Sequence, residues 1–245
     1  MKHAFKALAT VAVAAALVGG AAAPFNNSTR PADDVARDGA RKPFAMIAFA
    51  KISKGQAVVD MLPGGGYFTR LFAQTVGPKG KVVALVSDQY AKAVPKAATD
   101  IQALAAEPAY ANVEAAIRNL GDVGAPGSVD RVWTAQNYHD LHGASLPKGT
   151  VEGLNRAIFA ALKPGGMYII LDHSAAQGTG VTTVDTLHRI DAATVKAEVT
   201  SVGFTFGGES KVLANAGDDR SKNVFDPAIR GKTDQFVYRF IKPAK

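Results

Sequence analysis

The stretch VVDMLPGGGYFTRLFA, which runs from Val58 to Ala73, decides the fold. Its first residues are apolar and β-branched, and they end on an acid, Asp60. Three glycines follow closely, and the residues behind them place apolar side chains at helical spacing. A buried strand, a glycine turn and an amphipathic helix in this order are typical of a nucleotide-binding corner in a parallel sheet. The stretch predicts such a corner and leaves the nucleotide open.

Short apolar segments alternate with helical patterns along the rest of the chain. The predicted strands cover residues 57–60, 81–86, 113–117, 129–135, 167–172, 209–214 and 235–241. The predicted helices cover residues 44–51, 67–76, 91–106, 151–162 and 194–202. Because no helix separates the last two strands, we expect them to pair antiparallel at one edge. The pattern indicates an α/β fold with a seven-stranded, mainly parallel sheet, helices on both faces and an antiparallel edge strand.

The N-terminal residues differ in composition from the rest. Lys2 and Lys6 flank the start of a small-apolar run over residues 7–18, and further small residues follow. This pattern is typical of a cleavable signal peptide, and the run is shorter than the ~20 strongly apolar residues of a membrane anchor. We predict a signal peptide over residues 1–22, a linker or N-terminal arm over 23–43 and one domain over 44–245. The expected location is periplasmic or secreted, in a bacterium, with no stable membrane anchor after cleavage.

Composition excludes several classes of site. The 245-residue chain has no cysteine, which rules out disulfides and cysteine-based metal sites. Its formal charge of +7 comes from basic residues that are scattered, with no block of five or more like charges. A nucleic-acid-binding surface needs a basic stripe or a recognisable motif. The sequence therefore predicts no nucleic-acid partner.

The acid before the glycines bears on the choice of nucleotide. Gly64 and Gly66 supply the first two glycines of the dinucleotide pattern G-x-G-x-x-G, but Thr69 stands in the place of the third. A carboxylate at Asp60 would repel a pyrophosphate. The same carboxylate suits a ligand that carries an amino group and no phosphate.

Five motifs in this chain resemble those of class I S-adenosylmethionine-dependent methyltransferases, in the order found in that family. They are DMLPGGG at 60–66, GKVVA at 80–84, GD at 121–122, VDRVW at 129–133 and LKPGG at 162–166. More narrowly, three further stretches resemble a bacterial subfamily of exported, predicted methyltransferases. These are NYHD at 137–140, HRID at 188–191 and VFDPAIRG at 224–231. The resemblance implies the Rossmann-like class I methyltransferase fold and S-adenosylmethionine as the cofactor.

The resemblance also implies roles for individual residues. The backbone of Gly64, Gly65 and Gly66 would line the methionine and ribose part of the cofactor. Asp60 would face the cofactor's amino group, and Asp122 would accept a hydrogen bond from the adenine amino group. Each acid has a simpler alternative, because Asp60 could cap the following helix and Asp122 could be an ordinary turn residue.

Two positions depart from the family pattern. Leu62 stands where the loop usually has its first glycine, and Val86 stands where an acid usually binds the ribose hydroxyls. Valine cannot accept those hydrogen bonds, which corresponds to a loss of about 1–3 kcal/mol if the hydroxyls are desolvated. Asp88, two residues further on, is the candidate replacement. The predicted cofactor site includes Leu62, Val86 and Asp88, because each stands at or near a position that contacts the cofactor in the family.

The segment after the fourth strand is predicted to carry the chemistry. By the resemblance, Asn137 and Tyr138 occupy the place where amino-methylating relatives carry Asn-Pro-Pro-Tyr, but the prolines are absent here, so that specificity is not transferred. His139 titrates near neutral pH and is the proposed base, and Asp140 is the proposed group that orients it.

A metal site is the competing interpretation of the same rim. His139, Asp140, His142, Asp172 and His173 are suitable ligands, but the chain has no H-x-x-x-H or H-E-x-x-H pair. We therefore predict no metal site. His188 and His142 are expected to make local hydrogen bonds.

The predicted function is methyl transfer from S-adenosylmethionine to an unidentified small molecule. The alternative is a non-catalytic ligand-binding or scaffold protein on a degenerate methyltransferase fold, which Leu62 and Val86 favour. A third possibility, an NAD-dependent oxidoreductase, is disfavoured by Asp60 and by the missing ribose acid.

Overall fold

The computed structural model describes residues 25–244. The predicted signal peptide lies outside the described residues. Within residues 25–244, no helix combines the length and the apolar character that a membrane crossing requires.

A single seven-stranded sheet organises the described residues. Its strands are β1 (Ala57–Met61), β2 (Lys81–Ser87), β3 (Val113–Arg118), β4 (Val129–Ala135), β5 (Leu162–His173), β6 (Thr205–Ser210) and β7 (Gln235–Ile241). Their spatial order is β3-β2-β1-β4-β5-β7-β6. Strands β1 to β5 are parallel to their neighbours, whereas β7 is antiparallel to both β5 and β6. The predicted seven-stranded, mainly parallel α/β fold is confirmed.

The antiparallel strand lies one position inside the sheet. β7 sits between β5 and β6, so the edge strand is β6 and not β7. β4 and β7 have their predicted bounds, but β6 begins at Thr205, earlier than the predicted Glu209. β5 also begins early, at Leu162, which pairs with Val129 of β4, and the turn around Gly165 and Gly166 exchanges backbone hydrogen bonds with Lys242 at 2.9 Å. Contacts on both sides therefore extend β5 beyond its predicted start at Met167.

Nine helices accompany the sheet in residues 25–244. They are α1 (Ala32–Ala36), α2 (Asp38–Arg41), α3 (Pro43–Ala50), α4 (Tyr67–Val76), α5 (Asp88–Ala93), α6 (Pro95–Ala106), α7 (Thr150–Ala161), α8 (Val184–Leu187) and α9 (Ala192–Ser201). The helix predicted over residues 91–106 is divided at Val94, which has an extended φ of −132°. Proline at position 95 disfavours the helical conformation of the residue before it, so the division follows from the sequence.

Both faces of the sheet are covered by apolar side chains. On one face Trp133 of β4 packs against Phe68 and Phe72 of α4, with ring centroids 4.7 and 5.4 Å apart. The other face carries Tyr168 of β5 and Ile158 of α7, both fully buried. Because side chains alternate along a strand, Asp60 shares the α4 face of β1 with Val58.

The residues predicted as a linker or arm form short helices that pack on α4. Arg30 pairs with Asp38 at 2.6 Å, and Asp38 accepts a hydrogen bond from the Tyr67 hydroxyl at 2.6 Å. Asp34 of α1 is buried and contacts Arg70 at 3.2 Å. Tyr67 directly follows the glycines, so the N-terminal arm (residues 25–42) borders the glycine loop.

Strand order locates the cleft where a ligand is expected. β1 pairs with β2 on one side and with β4 on the other. Strands β2 and β3 are therefore added on one side of β1 and the later strands on the other side, so the strand order reverses at this point. In open parallel sheets, ligands bind beyond the carboxyl ends of the strands at such a reversal. The glycine loop after β1 and the segment after β4 both lie there.

Replacing Gly66 with alanine should destabilise the fold more than replacing Gly64. Both glycines have positive φ, +79° and +56°, so each alanine carries a backbone cost of about 1–2 kcal/mol. A Cβ at Gly66 would overlap Leu104 Cδ1 of α6, whereas nothing lies within 4 Å of a Cβ at Gly64. Moving Leu104 should cost about 1–3 kcal/mol more.

Urea unfolding of the two alanine variants measures this difference. Equal losses of stability would show that the glycine loop does not pack on α6 as described.

Candidate functional site

The glycine loop, residues 62–66, adopts a left-handed backbone at three positions. Leu62, Gly64 and Gly66 have φ of +53°, +56° and +79°. The Leu62 N–H donates to the Leu85 carbonyl of β2 at 2.8 Å, which holds the loop against the neighbouring strand. Leu62 thus takes the conformation that glycine adopts without cost, at an expense of about 1–2 kcal/mol. The loop keeps the shape of a glycine-rich turn despite the leucine.

Space is open above the middle of the loop. A Cβ added at Gly64 or Gly65 would have no atom within 4 Å. The Gly65 carbonyl accepts a hydrogen bond from Arg70 at 2.7 Å, which fixes the loop from the side of α4. The exposed backbone of these two glycines is therefore available to a ligand.

Asp60 is a buried carboxylate at the end of β1. It is 2% exposed, and its Oδ2 accepts a hydrogen bond from the Thr69 hydroxyl at 2.6 Å. Burial raises the pKa of Asp60 to about 7, against the opposing effects of the Thr69 hydrogen bond and the positive charge of Arg41. A ligand ammonium near this carboxylate would favour its ionised form.

The residues predicted to face the ribose and the adenine lie on β2, on α5 and in the turn after β3. The Val86 side chain is buried in the core, and Ser87 caps α5 through the Tyr90 N–H at 3.0 Å. Asp88 is half-buried in the first turn of α5. Asp122 is exposed in the turn after β3, where its own carbonyl accepts a hydrogen bond from Arg118 at 2.9 Å. Asp88 and Asp122 are thus the acids at this end of the cleft.

Asn137 connects the segment after β4 to the glycine loop. Its Nδ2 donates to the Leu62 carbonyl at 2.9 Å and to the Ala135 carbonyl at 2.7 Å. The preceding residue, Gln136, has a positive φ of +62° that turns the chain out of β4. Asn137 therefore fixes the distance between the two loops of the cleft.

The Tyr138 hydroxyl lies in the protein interior. It donates to Glu198 at 3.0 Å and accepts from Asn155 at 3.0 Å, and burial raises its pKa. His142 also contacts Glu198, at 3.2 Å. Tyr138 and His142 thus tie the segment after β4 to α7 and α9.

His139 is enclosed by two carboxylates. Asp172, at the end of β5, accepts hydrogen bonds from both the backbone N–H and the Nδ1 of His139 at 2.8 Å. Asp140 Oδ1 lies 3.2 Å from the Nε2 atom. Burial lowers the pKa of His139, but the two carboxylates outweigh it and raise the pKa to about 10. At neutral pH the imidazole therefore carries a proton, whereas the proposed base needs the neutral form.

The neighbouring histidine behaves in the opposite way. His173 is half-buried beside His139 and contacts the Thr233 hydroxyl at 2.8 Å. Burial lowers its pKa to about 4, so this imidazole is neutral at pH 7.

His188, for which the sequence favoured only local hydrogen bonds, also belongs to this group. Its Nδ1 lies 3.7 Å from Asp140 Oδ1, and its ring packs edge-to-face on His139 with centroids 5.4 Å apart. The sequence placed His188 in the motif HRID and, with Asp191, among the histidine and carboxylate groups that could converge at this rim, without assigning it a role.

A cavity of about 360 Å³ opens beside the cleft, and we call it the arginine cavity. Its polar and aromatic walls include Arg37, Arg41, Phe68, Gln136, Phe225 and Arg230. No Asp or Glu lines it among the described residues. Two of the three arginines come from the N-terminal arm, which the sequence predicted only as a linker or arm.

Arg41 is the most enclosed of these cations. Within residues 25–244 its only side-chain hydrogen bond goes to Gln136 Oε1 at 3.3 Å. The guanidinium stacks on Tyr67 and Phe68, 4.7 and 5.6 Å from the ring centroids. Burial, together with the positive charge of Arg37, lowers the pKa of Arg41. An anion in the cavity would offset this repulsion.

A larger and more open depression of about 710 Å³ lies at the opposite end of the sheet. It is lined by Lys81 and Val113, which begin β2 and β3, and by the turn at Gly77 and Pro78. Ligands of open parallel sheets bind at the carboxyl ends of strands. We therefore place the functional site at the glycine loop and the arginine cavity.

Comparison with known proteins identifies the fold. No protein-family model matches the chain, and no curated protein sequence matches it. An S-adenosylmethionine-dependent methyltransferase from Aquifex aeolicus is similar in structure, with a TM-score of 0.61 and 18% identity, over 85% of this chain and 94% of that one. A possible exported protein from Bordetella parapertussis has a TM-score of 0.56 and 15% identity, over 85% and 68% of the two chains.

A third similar structure has a different described activity. The cyclase SpnF has a TM-score of 0.61 and 13% identity, over 84% of this chain and 81% of that one. At such identities the likeness establishes a class I methyltransferase fold, and one fold supports more than one chemistry.

Stability should fall with rising pH because of Asp60. Its folded pKa, about 7, exceeds the ordinary value of 3.8, so the folded chain holds a proton that the unfolded chain releases. This contribution is complete below about pH 4 and is lost as pH rises through 7, at up to about 1.4 kcal/mol per pH unit. Asp60→Asn keeps the acceptor for Thr69 and removes the ionisation.

The measurement is the difference in unfolding free energy between wild type and Asp60→Asn from pH 5 to 8. The variant should gain relative stability as pH rises. Thr69→Val, which removes a hydrogen bond to the ionised carboxylate, should move the midpoint to higher pH. A difference that is constant with pH would contradict the assigned pKa.

Proposed function

We propose that this protein transfers a methyl group from S-adenosylmethionine to a small anionic molecule. The main observation that supports this proposal is the position of Asp60 beside an open glycine loop, at the point where strand order reverses in a methyltransferase fold. A buried carboxylate that forms no salt bridge within residues 25–244 suits the amino group of this cofactor. Open backbone at Gly64 and Gly65 suits the close approach of its methionine part.

The residues present fit the cofactor unevenly along its length. Asp60, Gly64 and Gly65 would hold the methionine end, and the bound cofactor would supply an electrophilic methyl group. Asp88 and Asp122 are the acids near the ribose and adenine end, where Val86 offers no acceptor. We therefore expect weaker cofactor binding than in relatives with a ribose acid, by about ten- to a hundredfold.

The arginine cavity supports an anionic acceptor. Three guanidinium groups line it, and Phe68 and Phe225 supply ring faces. Arg37 pairs with Asp34 of α1, whereas Arg41 and Arg230 form no ion pair within residues 25–244. Arginine pairs with carboxylates through parallel hydrogen bonds. A planar molecule with a carboxylate matches both the charge and the walls of this cavity.

Catalysis in this proposal rests on positioning. Holding two reactants in line removes much of the entropic barrier to transfer. Asn137 fixes the separation between the glycine loop and the segment after β4, through its 2.9 Å hydrogen bond to Leu62. We do not assign proton removal to His139, because its two carboxylate neighbours keep it protonated at neutral pH.

We further propose that the protein is exported, as the sequence of residues 1–22 and the similarity to a possible exported protein suggest. The competing function is ligand binding without catalysis on the same fold. It is favoured by Val86, whose buried side chain offers no acceptor for a ribose hydroxyl. Cofactor binding followed by turnover separates the two functions.

Calorimetry with S-adenosylmethionine and S-adenosylhomocysteine tests the cofactor assignment. We expect binding of one equivalent, and we expect Asp60→Asn to weaken it at least tenfold because the carboxylate partner of the amino group is lost. Asp100→Asn is the control, since Asp100 lies on α6 and pairs with Lys96 at 2.6 Å. Absence of heat at millimolar cofactor would refute the proposed activity and leave the ligand-binding alternative.

Benzoate and its neutral counterpart benzamide test the charge preference of the arginine cavity. We expect benzoate to bind at least tenfold more tightly, because a hydrogen bond to a charged group contributes about 1.5–3 kcal/mol. Arg41→Gln should abolish the preference. Arg156→Gln, which alters an exposed pair with Glu152 on α7, should preserve it. Equal binding of the two probes to wild type would exclude an anion-selective cavity. Nuclear magnetic resonance titration provides the affinities.

A further inference from the structure

Three side chains converge beside the arginine cavity in a geometry that suits a metal ion. His139 Nε2 and Asp140 Oδ1 are 3.2 Å apart, and His188 Nδ1 is 3.7 Å from the same Asp140 oxygen. One potential ligand atom from each residue lies within 4.8 Å of the other two. Within residues 25–244 this is the one cluster of histidine and acidic side chains with that property.

The separations match a tetrahedral site. Zinc binds imidazole nitrogen and carboxylate oxygen at about 2.0–2.2 Å, so ligand atoms in a tetrahedron lie about 3.3–3.6 Å apart. The contacts of Asp140 with His139 and His188 are close to that spacing. Only the two histidines would need to approach each other.

His139 is oriented as a metal ligand by a second carboxylate. Asp172 accepts hydrogen bonds from the backbone N–H and Nδ1 of His139, both at 2.8 Å, and is fully buried. The Nδ1 atom therefore carries hydrogen, and Nε2 lies 3.2 Å from Asp140 Oδ1. A metal ion bound at Nε2 would displace the proton that this nitrogen carries in the metal-free protein. A carboxylate behind a histidine is the usual outer partner of a metal-bound imidazole. Asp172 acts here as a positioning residue.

His188 is held in place by the residues that follow it. Its backbone is left-handed, with φ of +53°. Arg189 is fully buried and pairs with Asp218 at 2.8 Å, and the Ile190 N–H donates to the His173 carbonyl at 3.1 Å. These contacts fix the position from which His188 reaches Asp140. A preformed site of this kind needs little rearrangement to bind an ion.

We propose that His139, Asp140 and His188 bind one divalent transition metal, with Zn²⁺ the best match. Two imidazoles and one carboxylate favour zinc over magnesium or calcium, which prefer oxygen ligands. Three protein ligands leave a fourth position for water or for an anionic group. The Asp140 side chain is 51% exposed, so that position is accessible.

The site adjoins the arginine cavity. Phe225, which lines the cavity, packs edge-to-face on His188 with ring centroids 4.9 Å apart. A bound ion would add positive charge to the same wall and would join the segment after β4 to the segment after α8. The proposal does not depend on the cofactor, so its test is made without S-adenosylmethionine.

Binding of Zn²⁺ and Co²⁺ to untagged, chelator-treated protein tests the proposal. We expect one equivalent by calorimetry and a visible Co²⁺ spectrum of four-coordinate type. His188→Ala and Asp140→Asn remove ligands on partly exposed side chains, so these variants should fold. Each should lower the affinity by more than the ten- to hundredfold that loss of an outer partner costs.

Two further variants separate the metal site from a plain ion-pair network. His142→Ala removes a nearby histidine that contacts Glu198 and should leave the affinity and the spectrum unchanged. Asp172→Asn should weaken binding ten- to a hundredfold while leaving the Co²⁺ spectrum four-coordinate. Absence of stoichiometric binding, or binding that survives His188→Ala, would overturn the assignment.

Discussion

The pairing of β1 with both β2 and β4 is the constraint on which the site depends. It brings the glycine loop and the segment after β4 to one edge of the sheet, where Asn137 joins them through the Leu62 carbonyl. The same pairing buries the end of β1, so Asp60 sits in a low-dielectric position with a raised pKa. The position of the cleft, its width at Asn137 and the burial of Asp60 all follow from the order of three strands.

The sheet was predictable because its signal is local. Runs of β-branched residues, each followed by a turn and a helical pattern, indicate strands whichever partners they later find. The acid at the end of β1 and the glycines after it are local in the same sense. Leu62 shows the limit of such inference, because the loop retains its left-handed backbone although the residue type argues against it.

The arm and the histidine cluster depend on contacts between distant parts of the sequence. The polar composition of residues 25–42 resembles that of a linker. However, the ion pair of Arg30 with Asp38 and the hydrogen bond from Tyr67 to Asp38 hold the arm to α4. His188 reaches Asp140 only because its own backbone is left-handed and Arg189 is anchored by Asp218. The types of these residues do not by themselves predict contacts between segments that are distant in sequence.

In the proposed function, cofactor binding and acceptor binding depend on different parts of the chain. The features assigned to the cofactor belong to the sheet and its glycine loop, whereas Arg37 and Arg41 belong to the N-terminal arm. If the proposed function holds, changes in the arm would alter which anion binds without disturbing the strands. A chain with the same sheet and a different arm would then keep the proposed cofactor site and bind a different acceptor, so divergence is expected in the residues before Pro43.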